Sequence, residues 1–135
     1  MKNNPLIIEH ASPFDVETTV AKLIAAATAQ NWQNPAVHNL QQSLANAGKA
    51  VRPVQVIEIC KPEYSGAMLE KNHERIVSVM MPCRISVYQK EDGKAYIALL
   101  NMEAMASEMP ATAVDAIRAA NNESFAIVKS VVEGQ

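Results

Sequence analysis

The chain has 135 residues, of which 49% are hydrophobic and 19% are charged, and its formal net charge is −2. These values fit one globular domain with its own core and argue against disorder. The small negative charge and the lack of a Lys/Arg cluster give no electrostatic reason to bind nucleic acid. No apolar run approaches the ~20 residues that a membrane helix needs, and the first ten residues lack a signal-peptide core. We therefore expect a cytoplasmic protein of one domain (residues 1–135) that binds neither nucleic acid nor membrane, with two free cysteines.

The first part of the chain predicts a strand, a helix and a second strand. Residues 6–9 form a short apolar run, and residues 16–29 place apolar side chains at helical spacing. Either Ser12 or Asp15 can cap that helix, so the position of its start is open. A proline within residues 32–38 favours a short edge strand there.

A brief helix and a longer strand follow. Asn39 can cap the helix and Gly48 can end it in a left-handed conformation. Residues 54–60 are rich in β-branched side chains and predict a strand. Its alternation breaks at Val56, so either a bulge interrupts the strand or both of its faces are covered. Pro62 can then open another short helix.

The clearest pattern in the chain covers residues 77–88. Alternate residues are apolar and those between them are mostly polar, which is typical of a strand with one face on a core. Because proline donates no hydrogen bond to a ladder, Pro82 marks an edge, a bulge or the point where pairing begins. An Asp-Gly turn at residues 92–93 then leads into a strand over 94–102.

The end of the chain completes the predicted fold. Residues 103–107 predict one turn of helix, and Thr112 with Asp115 resembles a capping box for a last amphipathic helix. The elements form an α+β domain of order β-α-β4-α, with a mainly antiparallel sheet, helices packed on one face and small helices in the connections. Two long helices cover only one sheet face, yet the strands over 54–60 and 94–102 are apolar on both sides. This predicts a homodimer, unless a curved sheet buries the extra apolar residues under its loops.

Four segments of the sequence resemble those of one known family in their order and spacing. They are Phe14–Val20, Ser43–Gly48, Val56–Pro62, and Met81–Tyr88 with the Asp92-Gly93 turn. Over residues 12–105 the chain resembles the bacterial domain-of-unknown-function 302 family. The resemblance implies a β-α-β4-α fold that forms dimers, and it implies no established reaction. Many relatives have Gly-Asn-Pro in place of Cys60-Lys61-Pro62 and lack the second cysteine, so the chain resembles a cysteine-bearing branch.

The two cysteines define the predicted site. If pairing starts near Pro82, Cys60 and Cys83 can approach within one sheet; if it starts earlier, they lie ~20 Å apart. A disulfide requires Cα atoms within about 7 Å. Cys83 also shares the parity of core residues, so it can simply be packed. Arg84 points to the opposite face, where it suits an anion, a partner or a pairing with Glu58.

Four residues of ligand type could hold a metal or haem: His38, Cys60, His73 and Cys83. No pair has zinc spacing and no Cys-x-x-Cys-His motif occurs, so the sequence requires neither cofactor. Three hypotheses follow. The first is a homodimeric binding module that holds a small ligand (a metal, haem or thiol-reactive species) near Cys60 and Cys83, with Arg84 and His38 as further ligand-binding residues. The second is a thiol redox enzyme using the same cysteines, and the third is a structural or interaction protein in which they only pack.

Overall fold

A computed structural model describes residues 5–134. Its strands are β1 (Ile7–Ala11), β2 (Val37–Asn39), β3 (Val54–Ile59), β4 (Cys83–Gln89) and β5 (Ala95–Leu100). Its α-helices are α1 (Val16–Ala29), α2 (Leu40–Asn46), α3 (Pro62–Leu69) and α4 (Val114–Val132). Three short 3-10 helices cover Glu74–Met80, Met102–Glu108 and Ala111–Ala113. No helix in this part of the chain has the length and apolar character needed to cross a membrane.

The strands form one antiparallel sheet in the order β1-β5-β4-β3-β2. The predicted β-α-β4-α order, the edge position of the short β2 and the small connecting helices are confirmed. The register between β3 and β4 is continuous from Val54 to Ile59, so the predicted alternative of a bulge does not occur. Helices α1 and α4 pack against each other on one face of the sheet.

The main correction concerns the strand predicted over residues 77–88, of which only the second part is a strand. Pairing begins at Cys83, which lies opposite Ile59, directly after a cis Met81–Pro82 peptide bond. Residues Glu74–Met80 instead form a 3-10 helix, and Val79 is 83% exposed rather than on a core face. Because Pro82 donates no ladder hydrogen bond, the sheet starts after it, which is the alternative that brings Cys83 beside the end of β3.

The helix ends are set by local hydrogen bonds. Of the two open capping residues, Asp15 caps α1, with its Oδ1 accepting the Thr18 N–H at 2.7 Å. Asn39 caps α2, and Gly48 ends it at φ 82°, both as predicted.

The predicted capping box at Thr112 and Asp115 was wrong. Helix α4 grows out of the Ala111–Ala113 3-10 turn, and its capping residue, Ala113, makes no side-chain hydrogen bond to the helix. Ala113 is instead fully buried in a small apolar cluster, so packing fixes this helix start.

The sheet has one covered and one uncovered face. The face under α1 and α4 (the inner face) carries the most buried side chains of the strands, namely Ile57, Ile59, Ile85, Val87, Ile97 and Leu99. The opposite face (the outer face) carries the alternate residues: His38, Val54, Val56, Glu58, Arg84, Ser86, Tyr88, Tyr96, Ala98, Leu100, Ile7, Glu9 and Ala11. All of these are half-buried or exposed, so the apolar residues on the second side of β3 and β5 are not covered within one chain.

Candidate functional site

A cavity of about 220 Å³ lies where β4 begins, between the sheet, α4 and the Glu74–Met80 helix. Its lining is mostly apolar and comprises Met68, Val77, Val79, Met80, Met81, Pro82, Cys83, Arg84, Ile85, Leu99, Leu100, Met102, Ile117, Ala120, Asn121 and Ser124. Four methionines belong to this set, and the cavity joins the sheet to a second small core built on α3 and α4. It is therefore a mostly apolar cavity with a cysteine in its lining.

Cys83 enters the cavity from the first position of β4. It lies on the inner face, directly opposite Ile59 and half-buried against the main core. Burial, and to a lesser degree the neighbouring Cys60 thiol, raises the pKa of Cys83 above its ordinary value. A catalytic or reactive cysteine needs the opposite shift, because the thiolate is the nucleophile. Cys83 therefore presents a neutral, polarisable thiol to the cavity at neutral pH.

We expect the raised pKa of Cys83 to slow its alkylation in the folded protein. In a Cys60→Ala variant, iodoacetamide should modify Cys83 at least ~10-fold more slowly in buffer than in urea, because folding withholds the thiolate and buries the sulfur. Because the pKa of Cys83 is raised in the folded protein, this thiol also makes the free energy of unfolding depend on pH. The stability that the protonated Cys83 contributes is complete below the ordinary thiol pKa, and it is lost as the pH rises through the raised pKa of the folded state. Mass spectrometry of timed samples gives the rates; equal rates in buffer and urea would contradict this assignment.

Cys60 follows β3 and lies beside, rather than in, the large cavity. Its backbone pairs with Gln33, and its Sγ lies 3.5 Å from the Ser65 Oγ. Cys60 and Cys83 both line a second, smaller cavity of about 40 Å³, and both are free thiols. The late start of β4, at Cys83 rather than Val77, thus brings the two cysteines to one place, as one of the two predicted registers required.

Of the other three predicted site residues, only Arg84 lines the large cavity. Arg84 is on the outer face at the rim of the large cavity, with its Nε 3.9 Å from a Glu58 carboxylate oxygen. His38 binds the same oxygen at 3.2 Å from the outer face of β2, and His73 is exposed before the Glu74–Met80 helix. Within residues 5–134, no three His, Cys, Asp or Glu side chains group closely enough to hold a metal ion. The predicted metal residues therefore do not converge.

Asn121 is a lining residue that the sequence prediction missed. It is buried, its Oδ1 accepts the Met102 N–H at 2.9 Å, and its Nδ2 donates to the Asn101 Oδ1 at 3.3 Å. The signal was present, because Asn121 falls between Ile117 and Phe125 on the helix face predicted to be apolar. A buried amide on such a face indicates a polar contact within the core.

Ser124 and Ala120 keep the cavity open. These small residues of α4 are buried where larger side chains would fill the space beside β4. The Ser124 hydroxyl donates to the Ala120 carbonyl oxygen at 2.8 Å, which leaves the hydroxyl oxygen able to accept a hydrogen bond. The cavity thus combines a mostly apolar wall with the polar side chains of Ser124, Asn121 and Arg84.

A polar cluster on α4 closes the smaller cavity. Glu123 Oε1 accepts from the Trp32 Nε1 at 3.1 Å and from the Lys61 Nζ at 2.7 Å, and its other oxygen accepts from the Tyr64 hydroxyl. Trp32, Lys61 and Tyr64 all line the smaller cavity. These contacts (the Glu123 cluster) tie α4 to α3 and to the segment before β2.

Comparisons with known proteins support the fold and name a family. No curated protein matches the chain. The crystal structure of an uncharacterized conserved protein DUF302 from Bacillus stearothermophilus superposes with a TM-score of 0.84, over 93% of this chain and 98% of that chain. At 16% sequence identity this similarity establishes the fold alone. The family model described as "Domain of unknown function DUF302" matches residues 8–128, so the chain belongs to the DUF302 family.

Proposed function

We propose that this protein is a cytoplasmic homodimeric binding module that holds a compact apolar ligand in the cavity beside Cys83. The observation that carries the proposal is the cavity itself, about 220 Å³ of mostly apolar space at the start of β4. Cavities of this kind bind apolar molecules when their walls offer water few polar partners. The two free cysteines suit a reducing compartment, and the uncovered outer face suits a second copy of the chain.

The cavity volume sets the size of the ligand. An apolar cavity of about 150 Å³ binds benzene, so one of about 220 Å³ has room for a molecule of the size of indole or naphthalene. Pockets for drug-sized ligands start near 300 Å³. A haem is larger than a typical drug-sized ligand, so a cavity of about 220 Å³ is too small for the haem considered from the sequence.

The lining sets the chemistry of the ligand. Methionine side chains are flexible and polarisable, so they adapt to aromatic and irregular apolar shapes. Ser124 offers a hydroxyl oxygen, which favours a ligand with one N–H or O–H donor. The raised pKa of Cys83 makes its thiol a soft apolar contact and argues against a thiolate nucleophile, so a redox role for this residue has no support.

A fluorescent probe of the right size tests the proposal. We expect 2-naphthol to bind one site per chain, and its emission to shift to that of the neutral form, because the mostly apolar wall leaves little water to accept its excited-state proton. An Ala120→Leu variant should weaken this binding at least ~10-fold, since Ala120 is a buried wall residue and leucine occupies the ligand space. Fluorescence titration measures both effects.

Two further variants complete the experiment. Ala126→Leu makes the same change at an exposed position of α4 outside the large cavity and should bind 2-naphthol like the wild type. Ser124→Leu fills the cavity from a second position, in case overpacking at Ala120 unfolds the protein, which thermal unfolding reports. Absence of 2-naphthol binding to the wild type, or equal binding by all variants, would overturn the proposed ligand site.

A further inference from the structure

The lining of the large cavity includes outward-facing residues of the sheet, and we call this side of the cavity its mouth. Arg84 and Leu100 line the cavity, and both are outward-facing residues at adjoining ends of β4 and β5. Val79, on the Glu74–Met80 helix, completes this rim and is 83% exposed. All three residues are exposed. A protein that packs on this end of the outer face would therefore also cover the mouth.

An exposed apolar patch surrounds the mouth. Ile7 pairs with Leu100 across the β1–β5 ladder and is 61% exposed. Ile76 is 70% exposed and lies three residues before Val79, which places both on one side of a 3-10 helix. We call Ile7, Ile76, Val79 and Leu100 the mouth patch. Contiguous exposed apolar side chains of this kind mark interaction surfaces.

The charges beside the mouth patch favour a second copy of the chain as its partner. Acidic and basic groups lie together on the outer face, with Glu58 and Arg84 at the mouth end and Glu9 with Lys90 towards the opposite end. A two-fold interface brings one surface against itself, so it must carry both signs of charge to be self-complementary. A nucleic acid or an anionic membrane would select a basic surface, and the net charge of −2 opposes both.

The middle of the outer face lets another sheet approach closely. Val56, Ser86 and Ala98 lie in line across β3, β4 and β5, and their side chains are small and half-buried. Two sheets pack face to face at about 10 Å when such residues form the contact. This central row thus offers small side chains for a close contact, while the mouth patch supplies exposed apolar surface at one end.

We infer that two chains associate through their outer faces and that each partner closes the mouth of the other's cavity, so that ligand binding and dimer formation favour one another. The inference rests on the proposed function and adds its regulation. Closure removes the rim, Val79, Arg84 and Leu100, from water and holds the ligand in a sealed space. By linkage, each of the two sites in the dimer contributes the factor by which dimerisation tightens ligand binding, so saturation with ligand lowers the dimer dissociation constant by the square of that factor.

Analytical ultracentrifugation across a range of protein concentrations tests the inference, with 2-naphthol as the probe. We expect a monomer–dimer equilibrium whose dissociation constant falls at least about fivefold when 2-naphthol saturates the site. A double variant, Ile7→Lys with Ile76→Lys, should be monomeric, because it places charge in the mouth patch on two residues that do not line the cavity. Its affinity for 2-naphthol should be weaker than that of the wild-type dimer by the square root of that factor, at least about twofold, because the dimer holds two sites.

A control variant tests whether the mouth patch is specific. Three possible results distinguish a failure of the inference from a failure of the proposed ligand site. Val51→Lys changes an exposed apolar residue far from the mouth patch, beside the β4–β5 turn, and should leave dimerisation and binding unchanged. A wild-type protein that binds 2-naphthol as a monomer at every concentration overturns the inference and leaves the proposed ligand site standing. A dimer whose dissociation constant ignores bound 2-naphthol does the same. A dimer that binds no 2-naphthol overturns both.

Discussion

Ile85→Ala is expected to lower the free energy of unfolding by about 2–5 kcal/mol, the usual cost of truncating a fully buried isoleucine. Ile85 lies at the centre of the sheet, on the inner face of β4, and it also forms part of the cavity wall. Its truncation should therefore enlarge the cavity. We expect the variant to bind N-phenyl-1-naphthylamine, a probe larger than 2-naphthol, which the wild type excludes. Urea unfolding and fluorescence titration measure the two effects.

Ile57→Ala separates the two effects. Ile57 is fully buried and lies directly opposite Ile85 in the β3–β4 ladder, but it does not line the large cavity. The variant should lose a similar amount of stability and gain no affinity for the larger probe. If both variants bind the larger probe equally, the gain comes from a generally loosened fold, and the assignment of Ile85 to the ligand wall fails.

The residues of the sheet could largely be predicted from their pattern, and the failure over 77–81 has a physical cause. Val77, Val79 and Met81 alternate as a strand would, but Ile76 and Met80 are apolar too. The same residues therefore also fit the three-residue period of a 3-10 helix, in which Val77 is buried and Ile76 and Val79 are exposed. Short, mostly apolar runs do not distinguish the two periods. The proline at residue 82 carried the information, since it marks where the ladder can start.

The cavity could be predicted only in part. Cys83 and Arg84 were identified and do line it, and His38 and His73 do not. The missing wall residues, such as Ala120 and Ser124, belong to α4 and lie far along the chain from β4. A cavity forms where small side chains of one element meet another element, and a single sequence does not contain that pairing. The same limit applies to the Glu123 cluster, whose partners come from three separate segments.

Glu123→Ala is expected to cost about 2–3 kcal/mol of stability, more than any exposed ion pair in the described chain. Its loss leaves the buried Trp32 N–H without its acceptor and the poorly exposed Lys61 ammonium without its carboxylate. Glu103→Ala is the matched control, because Glu103 also pairs with a cation, Arg118, but both side chains are largely exposed. That variant should lose less than about 1 kcal/mol. Urea unfolding at pH 7 compares them.

A double-mutant cycle identifies why the Glu123 cluster matters. If most of the cost comes from the stranded Lys61 charge, then Lys61→Met with Glu123→Ala should be more stable than Glu123→Ala alone, because the charge left without a partner is gone. Full additivity of the two changes would show that Lys61 and Glu123 do not depend on one another. The cost of Glu123→Ala would then come from Trp32 and Tyr64, whose rings lie 6.3 Å apart beside the smaller cavity. Either result assigns the contact that fixes α4 against α3, and with it the wall on which the ligand cavity depends.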